Sequence, residues 1–387
     1  MKLISQSFET PVTEDYNWLT DTFVSDDGTE QRKSLLDPPR RVLNATYAFT
    51  TESDARALVR QMFVAQVGFQ IPAWHLAAKI APAAIGDTAV LFDPLKTELR
   101  DGAPAALYDA RSGALAAVTI AAVDGTGASL AAPLAAAWGA SARIAPLWTM
   151  FGNDNASISR GNTHDNVTAN LSLRSLEFID PFLNPFNTSE LSMFGGLPLL
   201  VKKPMGSNFD VAFNTGATLI DYGAAVTIRS RWQHSQEQFA RDFLCQRVFN
   251  PQDWYDWQAF FDYCKGACNP FYMPTFRPDF GIVGTVAGAT ATFKGLDYGQ
   301  DFFPFAAFKQ FSFFTRGGRH DATVTGVAFV GGNTVCTINP PLPGGEDFAA
   351  NQIASLLLKC RIADDKVSLS HDFLQTVVTL NIRTVDA

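Results

Sequence analysis

The heptapeptides Leu171-Ser172-Leu173-Arg174-Ser175-Leu176-Glu177 and Leu380-Asn381-Ile382-Arg383-Thr384-Val385-Asp386 align without a gap. Each follows a His-Asp pair, His164-Asp165 in one case and His371-Asp372 in the other. The chain therefore matches itself at a spacing of about 200 residues, far beyond any solenoid period, which implies two copies of a whole domain. Further anchors recur in the same order. Asp27-Gly28 corresponds to Tyr222-Gly223, each followed by a basic residue, Arg32 or Arg229. Phe69-Gln70-Ile71-Pro72-Ala73-Trp74 corresponds to Phe271-Tyr272-Met273-Pro274-Thr275-Phe276, and alternation stopped by proline predicts a short strand ending at a sheet edge. Arg111-Ser112-Gly113 with Val118-Thr119 corresponds to Arg316-Gly317-Gly318 with Val324-Thr325, and Arg143-Ile144-Ala145 to Arg361-Ile362-Ala363.

A helix precedes each proline-stopped strand. Thr51 with Asp54, and Asn250-Pro251 with Asp253, are helix openings: a capping oxygen or a proline meets the unpaired N–H groups of the first turn. Apolar residues then recur at three/four spacing, Ala55, Leu58, Val59 and Met62 in one copy and Trp254, Trp257, Phe260, Phe261 and Cys264 in the other, so each helix buries one face. Gly68 and Gly266 supply the stops. The helices are expected over 51–66 and 251–265, and the closing strands over 170–176 and 379–385.

The expected fold is mainly β with few helices, an α+β chain built as a tandem duplication of a β module. The first module covers 1–178 and the second 209–387. Residues 179–208, with Pro181, Pro185, Gly195, Gly196, Pro198, Pro204 and Gly206, form a connector because such residues punctuate chains. Gly-punctuated alternating segments between helix and closing strand predict an inserted small β subdomain in each copy, about 75–143 and about 281–361.

Composition narrows the function classes. Hydrophobic residues make up 47% against 18% charged, enough apolar surface to offset chain entropy, so the chain folds. Thirty basic and 38 acidic residues give a net charge of −8, the wrong sign for gripping a phosphate backbone. Glu9, Glu14 and Asp15 interrupt the N-terminal region before any apolar run of signal-peptide length, so no secretion signal is expected. Leu130–Trp148 is Ala-rich and broken by Pro133, Gly139, Ser141 and Arg143, short of the roughly 20 apolar residues of a membrane span. Five cysteines, an odd number, do not suggest a disulfide framework.

Candidate chemistry is sparse. His75, His164, His234, His320 and His371 are scattered, with no metalloprotease helix motif and no Gly-flanked serine beside them. His164-Asp165 and His371-Asp372 are a conceivable dyad but precede strands, where a turn is the expected role. Cys264 and Cys268, with Cys245 upstream, form the closest approach to a metal cluster, yet structural zinc needs a second ligand pair. The gapless register of Pro72 on Pro274 sets Met62 and Gln66 opposite Cys264 and Cys268, so Cys264 is expected to be a small buried hydrophobe. Gly152 to Asp165 is rich in oxygen ligands but lacks calcium-loop spacing and is expected to be polar turns. Trp254, Tyr255, Trp257, Phe260 and Phe261 could form a binding platform, but at helical spacing they are expected in the core. No catalytic, cofactor-binding or metal-binding residue is nominated, and no enzymatic activity or cofactor is expected.

Trp254-Tyr255-Asp256-Trp257-Gln258-Ala259-Phe260-Phe261 running into Gly266 and then Phe271-Tyr272-Met273-Pro274 resembles the tail-tip proteins of long-tailed bacteriophages, of the baseplate hub and distal tail type. The resemblance implies a structural protein of the virion tail tip, assembled in the host cytoplasm. Its partners would be the tail tube, the tape measure and the tip or fibre proteins. It further implies a homo-oligomer, a trimer in preference to a hexamer: three chains of two modules would present six similar surfaces. A host-surface glycan-binding module is the alternative, and a cell-wall hydrolase a more distant one.

Overall fold

Alternation builds most of the architecture. In Arg40–Phe49 the residues Arg41, Leu43, Ala45, Tyr47 and Phe49 are buried while their neighbours are not, the period-two pattern of a strand with one face on a core. The computed structural model describes residues 9–25, 30–64, 68–109, 111–160, 167–176, 189–206, 211–214, 217–221, 226–230, 236–284, 286, 288–315, 318–343, 353–372 and 375–385.

The first half contains β1 (Glu9–Asn17), a hairpin of β2 (Thr20–Val24) and β3 (Glu30–Ser34), β4 (Arg40–Phe49), α1 (Glu52–Val64) and β5 (Phe69–Pro72). There follow β6 (Ala78–Lys79), β7 (Ala89–Leu91), β8 (Pro104–Asp109), β9 (Ala114–Asp124), β10 (Gly127–Leu130), β11 (Ala142–Arg160) and β12 (Val167–Ser175). A connector hairpin, β13 (Met193–Phe194) and β14 (Leu197–Pro198), precedes the second half. That half contains β15 (Ala212–Asn214), the hairpin β16 (Ala217–Asp221) and β17 (Val226–Ser230), β18 (Gln236–Cys245), α2 (Pro251–Cys264) and β19 (Phe271–Pro274). The remaining strands are β20 (Gly288–Phe293), β21 (Gln310–Thr315), β22 (Gly318–Val330), β23 (Asn333–Leu342), β24 (Ile353–Ile362), β25 (Lys366–His371) and β26 (Thr376–Thr384).

The strand pairings run in one order in both halves. In the first, β1 pairs with β4, β4 with β12, β12 with β11 and β11 with β5, all antiparallel. The N-terminal part of β11 also pairs with β8, from which β9, β10 and β7 continue a smaller sheet. In the second half β15 pairs with β18, β18 with β26, β26 with both β24 and β25, and β24 with β19. β24 also pairs with β21, from which β22, β23 and β20 follow. The long β11 thus has two counterparts, β24 and β25, separated by a turn at 363–365. The chain is mainly β, as the alternation predicts.

Register allows the two halves to be compared residue by residue. Phe69 lies opposite Met150, and Phe271 opposite Cys360, so Met150 and Cys360 hold matching positions. Leu43 opposite Leu173 matches Phe239 opposite Ile382. The Arg-Ile-Ala correspondence does not survive this test: Arg143 faces Lys79 and Tyr108 beside the inserted sheet, whereas Arg361 faces Arg383 in the main sheet. Three similar residues in a β-rich chain fit many registers, and only backbone pairing separates them. Gly152–Arg160, expected as turns, is the C-terminal part of β11, with a register shift between Gly152 and Ala156. Residues 161–166 lie outside the described residues.

Packing differs between the halves, although Tyr16 and Trp18 of the first half join the core of the second. The second half has one large core in which Trp254, Trp257, Phe260, Phe261 and Cys264 of α2 join Phe293, Phe311 and Phe313 of the inserted sheet. Trp257 stacks on Phe261 with ring centroids 5.5 Å apart, so the aromatics form a core. The first half divides into a main core around Leu43, Tyr47, Phe69 and Trp148 and a second one under its Ala-rich insert. α2 ends at Lys265 and Gly266, both at positive φ, a left-handed stop that glycine adopts without side-chain strain.

Candidate functional site

β1 joins the two halves. One edge pairs with β4 of the first half and the other with β25 of the second, with Tyr16 opposite both Arg41 and Val367. Alternation then sends Glu14 and Tyr16 inward together, and both are fully buried. A carboxylate in that position requires partners, because a lone buried charge is strongly disfavoured.

Its partners come from both halves. Glu14 Oε1 stands 2.6 Å from Arg41 Nε, and Arg41 Nη2 stands 2.8 Å from Glu98 Oε2. Arg41 also donates to Tyr16 OH at 3.0 Å and lies 4.5 Å from the Trp148 ring centre. Glu14 Oε2 has two imidazole partners, His75 Nε2 at 3.3 Å and His371 Nε2 at 3.2 Å. His371 Nδ1 lies 2.9 Å from Thr376 Oγ1, and Gln258 of α2 donates to Glu98 at 2.9 Å. Arg247 is buried nearby and interacts electrostatically with Glu98 and Glu14.

Charge within the group balances. Glu14 and Glu98 carry two negative charges, Arg41 and Arg247 two positive ones, so the histidines fit as neutral rings. Burial would raise the Glu14 carboxyl, but Arg41 and the bonds from His371 and His75 outweigh it and hold it well below the usual carboxylate range. Burial pushes the His75 imidazole down to about 4 against the pull of Glu14, and it lowers His371 as well.

Glu14, His75 and His371 place one possible ligand atom each within 4.8 Å of one another. Two imidazoles and a carboxylate are a zinc-type donor set. Here, however, Arg41 is paired with the same carboxylate, and a divalent ion would add two charges to a group already balanced. The arrangement instead holds the halves together: β1, β4 and the segments at His75 and Glu98 supply one side, and α2, β25 and β26 the other. A second polar contact reinforces it, with Glu30 of β3 at 3.0 Å from Arg361 and 3.1 Å from Arg383.

The other candidate residues are dispersed. His371 is not a turn residue but the buried end of β25, and His164-Asp165 lies outside the described residues. Cys245 and Cys264 are buried and Cys268 is partly exposed. Sequence reasoning missed the junction because Glu14, Arg41 and Glu98 carry no local motif. The available signals were the acids in the alternating β1 and two histidines, His371 at the end of β25 and His75 in the 3-10 turn just after β5.

A cleft of about 630 Å³ lies on the second half and includes Phe213, Glu237, Phe239, Phe276, Arg277 and Leu358 in its lining. Phe276 has φ +56, a backbone conformation that costs a bulky residue energy and collects at binding surfaces. No helix among the described residues is long and apolar enough to cross a membrane. No protein-family model matches the chain, and no curated protein sequence matches it.

Proposed function

We propose that the chain is a structural component of a bacteriophage tail tip or baseplate, joining the tail tube to the tip and lining the DNA path. The observation that carries this reading is the junction: two halves with one order of strand pairings are fused edge to edge through β1 and locked by a buried ionic group. A tandem duplication explains that recurrence, and a duplicated module suits a place where six-fold and three-fold parts meet. Three chains would supply six modules in a closed ring, which uses up sheet edges that otherwise invite aggregation. A net charge of −8 suits a lumen through which DNA passes without sticking. The reading assigns the chain neither catalysis nor a cofactor, and gives it the tail tube, the tape measure and the tip proteins as neighbours.

Mass spectrometry of purified virions, with antibody labelling imaged by electron microscopy, tests it. Label at the tail tip is the expected result, and absence of the chain from virions overturns the proposal. The glycan-binding alternative draws no support from the α2 aromatics, because Trp254, Tyr255, Trp257, Phe260 and Phe261 are all buried.

A further inference from the structure

The cleft on the second half occupies the position that, in the first half, forms the junction. Register makes the comparison specific. Tyr16 faces Arg41 across β1 and β4, and Phe213 faces Glu237 across β15 and β18. Leu43 and Phe239 match through the closing strands, and Trp148 and Leu358 through the strands beside β5 and β19. The gapless alignment through Pro72 and Pro274 adds Trp74 with Phe276 and His75 with Arg277. In the first half this face is covered by α2 and β25. In the second, Phe213 is 65% exposed where Tyr16 is fully buried.

The covering elements also have counterparts, and these face solvent. His371 lies opposite Thr376, the first residue of β26, and Arg160 lies opposite Val167, the first residue of β12, so Arg160 matches His371. The same gapless register matches Glu52 with Trp254 and Arg56 with Gln258. The match is internally consistent: Trp254 packs on His371 at a ring distance of 5.8 Å, and Glu52 is ion-paired with Arg160. Arg56, Arg60 and Arg160 line one exposed groove along α1. Among the described residues no strand pairs with the second edge of 156–160 in β11, or with the second edge of β15.

We propose that the cleft receives α1 and the open edge of β11 from a second copy of this chain, in the pose that α2 and β25 adopt on the first half within one chain. Strand addition would set Phe213 opposite Ala156 of the second copy and Ala212 opposite Ser157, as Tyr16 is opposite Val367 and Asp15 opposite Ser368. The changed residues carry opposite charge at the matched positions, beside Arg241 and Arg277 in the cleft and Glu52 on α1, which pairs with both Arg56 and Arg160. Where the junction has Arg41 and Glu14 on the receiving side, the cleft has Glu237 and Val211. Where it has neutral His371 and Gln258 on the covering side, α1 and β11 offer Arg160 and Arg56. Burial and nearby Asp279 raise the Glu237 carboxyl against the pull of Arg277 and Arg241, and an arriving guanidinium would add to that pull. The contact is head-to-tail, so repetition yields a closed ring or an open filament. From the tail-tip reading the proposal takes only self-association, and it names the surfaces.

Two disabled chains test it. Phe213→Asp with Glu237→Lys blocks the receiving face, and Arg56→Glu with Arg160→Glu blocks the covering face. The sites lie at the surface or at a cleft rim, and an unchanged melting temperature verifies folding. In mass photometry the wild-type chain is expected to form oligomers, each disabled chain to be monomeric, and an equimolar mixture to form a dimer that grows no further. A mixture that stays monomeric, or disabled chains that assemble like wild type, overturns the proposal. In a Cys268→Ser background, Ala212→Cys with Ser157→Cys is expected to give intermolecular disulfides; exclusively monomeric product after oxidation overturns the pose. A chain found at the tail tip that is monomeric there defeats this inference and leaves the tail-tip reading standing. A chain that assembles as described but is absent from virions does the reverse.

Discussion

His75 and His371, from opposite halves of the chain, face one another with ring centres 4.6 Å apart and share a single carboxylate oxygen of Glu14. Two rings at this separation cannot both take a proton without strong repulsion, and Arg247 already disfavours the charged form of both, with Arg41 acting on His371 as well. Neutral histidines are therefore part of the folded junction.

Acid should weaken the fold through these rings. Both have lowered folded-state values, so an unfolded chain binds more protons than the folded one as pH falls from about 6.5. Stability is thus fully present above that pH and lost on the way down to about 4, where His75 itself titrates. His75 contributes a slope of about 1.4 kcal/mol per pH unit inside that window, and His371, also lowered by burial, adds to the loss in the same direction. Denaturant titrations at stepped pH should show the loss, and His371→Gln should flatten it. An identical slope in that variant would remove His371 from the account.

Breaking one ion pair at the junction should cost more than removing it whole. Glu14→Gln leaves the Arg41 guanidinium with a reduced countercharge in a buried site, and such changes typically cost about 3–5 kcal/mol. Glu14→Gln combined with Arg41→Met removes both charges and should fall well short of the sum of the single losses, because neighbouring groups do not act independently. Urea denaturation of the four chains measures the coupling, and simple additivity would contradict it.

One thiol in five should react in the native state. Burial pushes Cys245 and Cys336 up to about 12 and raises Cys264 and Cys360 as well, so little thiolate forms at neutral pH. Cys268 is the partly exposed one. Iodoacetamide labelling followed by peptide mapping should find Cys268 modified first, with the others following only on unfolding.

Much of the fold could be read from pattern, because alternation and helical spacing are local properties. The helices at Glu52–Val64 and Pro251–Cys264, the strands Phe69–Pro72 and Phe271–Pro274, and the burial of Trp257 all followed from residues a few positions apart. The junction could not be read this way. Glu14 meets His371 only because β1 crosses to β25, and nothing near either residue encodes that crossing. The false Arg143–Arg361 correspondence has the same origin: residue likeness cannot distinguish registers that backbone pairing keeps apart.

Trp257→Ala should act as a stability mutation only. The indole is fully buried between Phe243, Phe260 and Phe261, and truncating a buried aromatic typically costs about 3–5 kcal/mol through lost contacts and the cavity left behind. Melting should report the whole effect. Unchanged melting with lost adhesion to host cells would restore the binding-platform reading.

The end of α2 offers a sharper contrast between two adjacent residues. Lys265 and Gly266 both have positive φ, 47° and 66°, but only Gly266 is enclosed. A β-carbon there would stand 2.8 Å from Asp365 Oδ1 and 3.0 Å from Trp18 Cβ. Asp365 cannot withdraw cheaply, since its carboxylate accepts from Thr20 N and Thr20 Oγ1 at 2.6 Å and from Ala267 N at 3.0 Å. Gly266→Ala therefore combines left-handed strain of about 1 kcal/mol with displacement of an anchor linking α2, β2 and the turn before β25, for a total loss of roughly 2–4 kcal/mol. Lys265→Gly should be near neutral: it relieves the same backbone strain and gives up a contact with Asp37 at 2.6 Å that lies at the surface, where such pairs contribute about 0–1 kcal/mol. Equal losses in the two variants, measured by urea denaturation, would show that backbone conformation alone, rather than the Asp365 contact, sets the requirement for glycine.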